Sequence, residues 1–166
     1  MNNKTIWITG ASSGIGKSLA LKFAQEGWKV AISARRENLL DEISKSNENI
    51  IAFPLDVTDN EKCKSVFSQV KEKLGEVDIS VFCTGIHDPK SEKTLNLEKV
   101  RKIMEVNFFG TVNSINAVYE YYKNKNIKIS FDDWIFKQDE KVAINRATLT
   151  KFGFKVGELT VFFMRD

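Results

Sequence analysis

The glycines of the segment Thr9–Gly16 are the residues of this chain whose spacing points most directly to chemistry. The segment follows a compact apolar run, Thr5–Ile8, and leads into apolar residues at helical spacing. A strand that ends in glycine and continues into a helix surrounds an anion with backbone N–H groups, and the helix dipole adds about half a positive charge. Gly10 permits a tight turn, Gly14 lets the backbone approach a pyrophosphate, and Gly16 lets the helix pack closely on the strand. The pattern therefore predicts a phosphate-binding loop in a βαβ unit, rather than a glycine-rich turn without a ligand.

Three side chains of the same loop are expected to line that site. Ser12 and Ser13 can add hydroxyl donors to the backbone N–H groups. Ile15 stands between the last two glycines of the loop and is also the first apolar residue of the helix that follows. We therefore count all three among the candidate cofactor-binding residues.

The end of the next apolar run, Lys29–Ser33, indicates which dinucleotide the loop would hold. An Asp or Glu at that strand end would bind the ribose 2′-OH and repel a 2′-phosphate. This chain instead has Ala34 followed by Arg35 and Arg36, which leaves room for a 2′-phosphate and offers a guanidinium fork to pair with it. We predict NADP(H) rather than NAD(H), with Arg35 as the main contact; the alternative is that both arginines are solvated residues at a helix start.

The pattern of apolar residues predicts the scaffold that brings these side chains together. Further strands are expected at Lys29–Ser33, Asn49–Phe53 and Val77–Phe82, with a helical stretch after each of the first two. A long helix is expected from about Leu97 to Tyr122. Alternating strands and helices favour right-handed crossovers and a parallel sheet covered by helices on both faces. The predicted fold class is a Rossmann-like, doubly wound α/β sheet in three layers, incomplete at its C-terminal side.

The pattern degrades from about Ile127 onward. Lys128–Phe131 is a candidate fifth strand, and Ala147–Val156 is a candidate helix. We predict a dinucleotide-binding Rossmann domain over residues 1–126, and a degraded or divergent remainder of the same domain over residues 127–166. A shift of the reading frame near residue 127 is one explanation, and genuine divergence is the other.

Composition excludes several other classes of protein. The 166 residues fit one domain, and the net charge of +3 is scattered along the chain, which disfavours nucleic-acid binding. Two cysteines without CxxC spacing and a single histidine, His87, disfavour a disulfide framework, a metal site and Ser/His/Asp catalysis. No apolar run reaches the roughly 20 residues that span a bilayer, and the N-terminus lacks a signal-peptide pattern. We expect a cytoplasmic protein with no membrane or nucleic-acid partner.

From Lys4 to about Tyr122 the chain resembles the short-chain dehydrogenase/reductase family, classical type. The glycine loop is similar to the family pattern TGxxxGxG. The pair Asp56 and Val57 resembles the residues that hold the adenine ring. The resemblance implies a dinucleotide cofactor and hydride transfer between NADP(H) and a small alcohol or carbonyl substrate.

Two further marks of the family follow along the chain. Phe82, Cys83, Thr84 and Gly85 stand where the family has Asn-Asn-Ala-Gly, so only the glycine is kept, and we place the last three in the cofactor site. Asn107 matches the helix asparagine that supports the family's proton relay through a water molecule. Asn107 is the one catalytic residue that the resemblance carries over, in a supporting role.

The Ser, Tyr and Lys of the family's active site have no credible counterpart in this chain. The Tyr passes a proton, the Lys lowers its pKa, and the Ser polarises the carbonyl. The segment Tyr119–Lys123 fits Tyr-x-x-x-Lys, but it lies in the same helix as Asn107 and precedes any fifth strand, so we reject it. A loose alignment over Asn145–Phe152 puts Val142 at the Tyr and Arg146 at the Lys, with Ser130 as a relic of the Ser. Valine cannot carry a proton.

We therefore expect an NADP(H)-dependent oxidoreductase by ancestry whose turnover is impaired. The chain stops where the family continues with another strand and its substrate-binding helices, so it is expected to be truncated or frameshifted. The alternatives are a catalytically silent nucleotide-binding module and an unstable truncated product. Residues 97–122 resemble the family's dimer-forming helix, so an exposed apolar stripe containing Phe108 and Phe109 would indicate a homo-oligomer.

Overall fold

The computed structural model divides the chain into two compact units, Met1–Tyr121 and Tyr122–Asp166. The sequence placed its boundary nearby, at residue 126, and the assignment of the second unit to the same domain stays a prediction. The structure describes residues 4–87, 96–123, 125, 130–137, 142–151 and 154–164.

The first unit contains a parallel sheet of four strands. They are β1 (Thr5–Thr9), β2 (Lys29–Ser33), β3 (Ile50–Ala52) and β4 (Ile79–Phe82), in the order β3-β2-β1-β4. All five residues of β1 are buried, as expected for a central strand with helices on both faces. The strand order reverses at β1, and open α/β sheets bind ligands beside such a switch point. The predicted parallel α/β fold is confirmed.

Five helices accompany this sheet in the described residues. They are α1 (Gly14–Gln25), α2 (Glu37–Lys45), α3 (Asn60–Leu74), α4 (Leu97–Met104) and α5 (Gly110–Lys123). A π-helical turn, Glu105–Phe109, joins α4 to α5, so the predicted long helix is present with one extra residue wound into it. None of the helices of the described chain is long and apolar enough to cross a membrane.

The core packs on both faces of the sheet. Ile6, Ile8, Val30 and Ile32 are completely buried in one cluster that also holds residues of α1 and α2. On β1, Trp7 is also fully buried, and its ring centroid lies 5.3 Å from that of Phe67 and 6.0 Å from that of Phe82. The indole N–H of Trp7 donates to the Ser33 hydroxyl at 3.0 Å, which satisfies its polar atom at the end of β2. The ends of β1 and β2 are therefore held rigidly.

The second unit is an antiparallel sheet in the order β5-β6-β7, formed by β5 (Ser130–Lys137), β6 (Val142–Lys151) and β7 (Phe154–Met164). The predicted helix over Ala147–Val156 is wrong, because residues 147–151 lie in β6 and residues 154–156 lie in β7. Thr148, Thr150 and Val156 are branched at Cβ, which favours strands over helices. The predicted fifth strand exists from Ser130 onward, but it pairs antiparallel with β6.

Candidate functional site

A cleft of about 490 Å³ opens at the carboxyl ends of the four parallel strands. Every cofactor-binding residue predicted from the sequence lines this cleft, together with four apolar residues that were not among the predicted cofactor-binding residues. The lining comprises Gly10, Ser12, Ser13, Gly14, Ile15, Gly16, Ala34, Arg35, Arg36, Leu55, Asp56, Val57, Cys83, Thr84, Gly85, Ile86 and Val106.

Two glycines of the loop stand where a side chain would collide with backbone. Gly10 has a φ of +70°, and a Cβ there would lie 2.6 Å from the carbonyl carbon of Cys83 and the amide nitrogen of Thr84. At Gly16 a Cβ would lie 2.6 Å from the carbonyl oxygen of Gly10. The end of β4, the turn after β1 and the first turn of α1 can approach each other this closely only because both residues lack side chains.

Gly14 differs from the other two glycines because it faces open space. Its φ is +57°, and no heavy atom lies within 4 Å of the position that its Cβ would occupy. Ile15, which the sequence counted as the first apolar residue of the helix, is 75% exposed and lines the cleft. The backbone at this point is therefore accessible to a ligand.

The N-terminus of α1 presents its free amides to the same space. Ser13 is the N-cap in an extended conformation, and its side chain makes no capping hydrogen bond. The first helical bond runs from Lys17 N–H to the Ser13 carbonyl at 3.3 Å. The amides of Gly14, Ile15 and Gly16 precede that bond, so they lack helical partners and are suited to an anion.

The two arginines after β2 make different contacts, and neither is merely solvated. The guanidinium of Arg36 donates from Nη2 to the Ser13 hydroxyl at 2.7 Å and to the Ser12 hydroxyl at 2.9 Å, and from Nε to Ser12 at 3.2 Å. Arg35 Nη1 lies 4.0 Å from Asp56 Oδ2, and the Arg35 side chain is half exposed. The arginines thus link the β2–α2 connection to the two loops on either side of it.

The loop after β3 is held in place by α5. Asp56 Oδ1 accepts from the amide of Thr58 at 3.1 Å and from its hydroxyl at 2.9 Å. From α5, Asn113 Nδ2 donates to the carbonyls of Val57 at 3.0 Å and Thr58 at 3.2 Å. Gly110 allows the helix to come this close, since a Cβ there would lie 2.5 Å from Val57 Cγ2.

Sequence reasoning missed Asn113 and Gly110. A usable signal existed, because Gly110, Asn113 and Ser114 place small or amide side chains on neighbouring positions, three and four residues apart, of one helix. Such a run indicates a face that approaches another backbone closely.

The segment that follows β4 forms another wall of the cleft. There Asn107 holds the main chain of Ile86 in place. Asn107 Oδ1 accepts from Ile86 N–H at 2.8 Å, and Asn107 Nδ2 donates to the Ile86 carbonyl at 2.9 Å. The Asn107 carbonyl accepts from the Thr111 hydroxyl at 2.8 Å. Asn107 lies in the π-helical turn, so this widened turn places the amide against the segment after Gly85.

Polar atoms near the end of β4 remain unsatisfied within the described chain. The hydroxyls of Thr9 and Thr84 are buried and have no hydrogen-bond partner there. Burial raises the pKa of the Cys83 thiol above its ordinary value, so the thiol stays protonated at neutral pH. Cys83 therefore has the properties of a small half-buried residue and not those of a redox thiol.

His87 lies outside this cleft. It is exposed and lines a smaller cavity of about 220 Å³ with Ile86, Lys99, Lys102 and Ile103. His87 therefore lies beside the main site and does not line it.

The tyrosines of α5 in the first unit, Tyr119 and Tyr121, do not line the cleft. In α5, Tyr121 accepts from the Val77 amide through its hydroxyl at 2.8 Å and stacks edge-on against Phe67, while Tyr119 is exposed; neither lines the cleft. Val142 and Arg146, which the loose alignment placed on a catalytic helix, lie in strand β6. The loose alignment is therefore wrong, because it requires a helix where the structure has a strand.

The order of the parallel strands and the cleft at their carboxyl ends define a Rossmann-like fold. The sequence model of the family described as short chain dehydrogenase matches residues 4–129. A Dictyostelium discoideum protein called dehydrogenase/reductase SDR family protein 7-like is 35% identical, over 75% of this chain and 43% of its own length. An 11-beta-hydroxysteroid dehydrogenase A of Arachis hypogaea is 32% identical, over 80% of this chain and 41% of its own length. The chain belongs to the short-chain dehydrogenase family.

Solved structures agree with this assignment. ElxO with NADP bound superposes with a TM-score of 0.63 at 29% identity, over 72% of this chain and 50% of that one. The 3-ketoacyl-(acyl-carrier-protein) reductase of Brucella melitensis complexed with NADH gives a TM-score of 0.67 at 26% identity, with the same coverage. The chain thus spans about half the length of the proteins it matches.

A second sequence model, of a family described as a protein of unknown function (DUF3833), matches residues 104–165. This match overlaps the end of the first one and continues through the three antiparallel strands. The second unit therefore has a sequence similarity of its own, outside the part that matches short chain dehydrogenases.

Proposed function

We propose that this chain is an oxidoreductase of the short-chain dehydrogenase type that binds NADP(H) and acts on an alcohol or carbonyl substrate, with impaired turnover. The observation that carries the proposal is the convergence of free helix amides, two arginines and Asp56 around one cleft. We also propose that residues 1–126 form the dinucleotide-binding domain and residues 127–166 its divergent remainder.

The cleft meets the requirements of a dinucleotide. A pyrophosphate needs backbone that it can approach closely, which Gly14 offers, and amide donors, which the first turn of α1 offers. An adenine ring needs a shallow apolar surface with a polar edge, and Leu55, Asp56 and Val57 lie in sequence along one wall. The assignment of these residues follows from their chemistry and position.

The preference for NADP(H) rests on charge. Ala34, Arg35 and Arg36 follow β2 in that order, and residues 33–36 include no carboxylate. The related structures include one protein with NADP and one with NADH, so relatives alone do not decide between the two cofactors. A guanidinium pairs with a 2′-phosphate by charge-assisted hydrogen bonds, which a plain ribose cannot exploit.

Bound NADP(H) would supply or accept a hydride at its nicotinamide. The protein must hold the ring, exclude water and move a proton to or from the substrate oxygen. Asn107 fixes the Ile86 segment at the far end of the cleft from the arginines, and this is its contribution. The proton step requires an acidic side chain such as Tyr, and neither Tyr119 nor Tyr121 lines the cleft. Turnover is accordingly expected to be weak.

A nucleotide-binding module without catalysis is the second candidate. The specific observation in its favour is that neither Tyr119 nor Tyr121 lines the cleft. A module of this kind would bind dinucleotide through the same cleft and act through a partner.

Self-association through the long helix is a further part of the proposal. No residue of α4 is buried in the described chain, and a stripe of large apolar side chains runs along α4, the π-helical turn and α5. The stripe consists of Leu97, Val100, Met104, Phe108, Val112 and Ile115, with Phe109 beside it. Exposed apolar area of this extent favours association. Light scattering after size-exclusion chromatography should give at least twice the monomer mass, and a monomer at all concentrations would contradict it.

The proposed function is tested by titrating the protein with NADPH and NADH, following cofactor fluorescence, and then assaying a panel of carbonyl substrates. We expect NADPH to bind more tightly than NADH and turnover to be slow. Binding with no turnover on any substrate selects the silent module. Absence of binding by either cofactor contradicts both candidates, and NADH binding as tight as NADPH binding contradicts the cofactor preference.

A further inference from the structure

The contact between Arg36 and the glycine loop is the most specific polar contact in the cleft. One guanidinium makes three hydrogen bonds to two neighbouring hydroxyls, Ser12 and Ser13, at 2.7–3.2 Å. No carboxylate of the described residues lies within ion-pairing distance of it. Ser12 is buried and Ser13 is exposed, so Arg36 contacts both a buried and an exposed residue of the glycine loop.

The direction of these hydrogen bonds fixes the direction of the hydroxyl protons. A guanidinium has five N–H donors and no acceptor, so both serine oxygens must accept from it. A hydroxyl that accepts from a cation cannot aim its own proton back at that cation. The protons of Ser12 and Ser13 must therefore point elsewhere, and both residues line the cleft. The positive charge behind them also makes each O–H a stronger donor.

Arg35 is placed differently. It lies 4.0 Å from Asp56 and makes no hydrogen bond to Ser12 or Ser13, so its guanidinium can turn toward a ligand without disturbing the glycine loop. Adjacent residues of the same type thus occupy different places in one site. One is bound to the loop, and the other is at the cleft wall.

We infer that Arg36 is a positioning residue, which acts through Ser12 and Ser13 by orienting their hydroxyl protons toward the 2′-phosphate of the cofactor. Arg35 contacts that phosphate itself. This inference rests on the proposed NADP(H) binding and adds a division of labour between the arginines. The preference for a cofactor with a 2′-phosphate then depends on Arg36, Ser12 and Ser13 together. Removing Arg36, or removing both hydroxyls, has the same consequence.

A double-mutant cycle tests the inference. The probe is adenosine 2′,5′-bisphosphate, with 5′-AMP as the probe that lacks the 2′-phosphate, both measured by titration calorimetry. Arg36→Gln and the pair Ser12→Ala with Ser13→Ala should each weaken bisphosphate binding about 10-fold, the value of one charge-assisted hydrogen bond at the low end of its range. The triple variant should be no more than about 3-fold weaker than either, since coupled residues are not additive. In every variant, binding of 5′-AMP should fall less than binding of the bisphosphate, because 5′-AMP lacks the 2′-phosphate and keeps only the 5′-phosphate, which the glycine loop also contacts.

The matched control repeats the cycle with Arg35→Gln in place of Arg36→Gln. Because Arg35 does not contact the serines, its effect and theirs should multiply to about 100-fold. Arg36→Lys keeps the charge but loses the planar fork, and it should behave like Arg36→Gln. Circular dichroism melts establish that each variant is folded.

Two outcomes overturn the inference. If the Arg36 and serine effects multiply, Arg36 contacts the phosphate directly; if Arg36→Lys binds as well as the unmodified chain, charge alone is sufficient. Either result leaves the proposed function intact as long as NADPH binds more tightly than NADH. If the unmodified chain binds neither dinucleotide, the proposed function fails, and the role of Arg36 fails with it.

Discussion

The two ends of the cleft differ in how many of the groups that their function requires are present. At the end formed by the loops after β1 and β2, glycines, helix amides and arginines all stand where a phosphate needs them. At the end that follows β4, Cys83 and Thr84 replace family residues, and two threonine hydroxyls have no partner in the described chain. Asn107 remains, and it is bound to main chain.

This difference separates binding from catalysis in physical terms. Phosphate binding needs backbone geometry and positive charge, both of which come from local segments close to one another in sequence. Proton transfer needs a side chain with a matched pKa at a defined distance, which other elements must deliver. A chain can therefore keep the first property without the second, and variants at the two ends should have separable effects.

The largest effect is expected from Gly16→Ala. The new Cβ would lie 2.6 Å from the Gly10 carbonyl oxygen, and Gly10 cannot yield because it packs on the Cys83–Thr84 peptide. The helix and loop must then move apart, at a cost of about 1–3 kcal/mol. NADPH affinity, measured by fluorescence titration, should fall about 100-fold.

Gly27→Ala is the matched control for that variant. Gly27 also has a positive φ, of +81°, but nothing lies within 4 Å of its Cβ position and it is not in the cleft. Its strain should lower stability by about 1 kcal/mol and leave affinity unchanged. Equal loss of affinity in both variants would mean that general destabilisation, and not the loop, explains the result.

The second effect separates the two cofactors. Arg35→Gln should weaken NADPH binding about 10- to 30-fold, since a charged hydrogen bond from a half-exposed side chain lies at the low end of about 1.5–3 kcal/mol. Binding of NADH should remain within about 2-fold because it lacks the 2′-phosphate. Arg101→Gln on α4 removes one positive charge outside the cleft and should leave both affinities unchanged. Parallel losses for NADPH and NADH would contradict the assignment of Arg35 to the phosphate.

The phosphate end of the cleft could be predicted from sequence because its determinants are local. Glycine spacing after a strand requires a specific turn, and charge after β2 lies within a few residues of that strand. The contact between Arg36 and the serines could not be predicted, since it joins side chains from two separate loops. The hydrogen bond from Asn113 to the loop after β3 could not be predicted either, because it joins positions far apart in the chain.

The second unit was harder to predict because its pattern is ambiguous. Apolar and polar residues in Val142–Lys151 alternate imperfectly, and a short segment of this kind fits either a helix or a strand. Long-range pairing decided the outcome, since β6 lies between two antiparallel neighbours. Expectations taken from the family also misled, because they required a catalytic helix at these residues.

A smaller effect is expected from Asn113→Ala. Two carbonyls, of Val57 and Thr58, would lose their donor, and the loop that bears Asp56 would lose its contact with α5. NADPH affinity should fall about 3- to 10-fold, and stability by about 1–2 kcal/mol. Asn116→Ala, which removes an exposed hydrogen bond to Asn60, should change stability by less than about 0.5 kcal/mol and affinity not at all. An Asn113→Ala chain with normal affinity would show that the loop needs no support.

The smallest effect concerns Cys63, which lies behind the same loop. Burial raises the pKa of this thiol to about 11 from 9.0; the Ser114 hydroxyl acts in the opposite direction, and Asp59 and Asp56 add to the rise. Between pH 9.0 and about 11, the folded state therefore keeps the Cys63 thiol proton that the unfolded state has lost. This contribution is complete below pH 9.0 and is lost as the pH rises toward 11, at no more than about 1.4 kcal/mol per pH unit.

Cys63→Ala tests this linkage without touching the cleft. Denaturant unfolding of both proteins between pH 8 and 11 should give curves that converge as the pH rises, because only the unmodified chain loses the thiol contribution. Lysines and tyrosines titrate in the same range, but they do so in both proteins and cancel in the difference. Cys83→Ala is the matched control, since Cys83 is only half buried and its loss should flatten the curve less. Parallel curves for Cys63→Ala and the unmodified chain would mean that water reaches the space between α3 and α5.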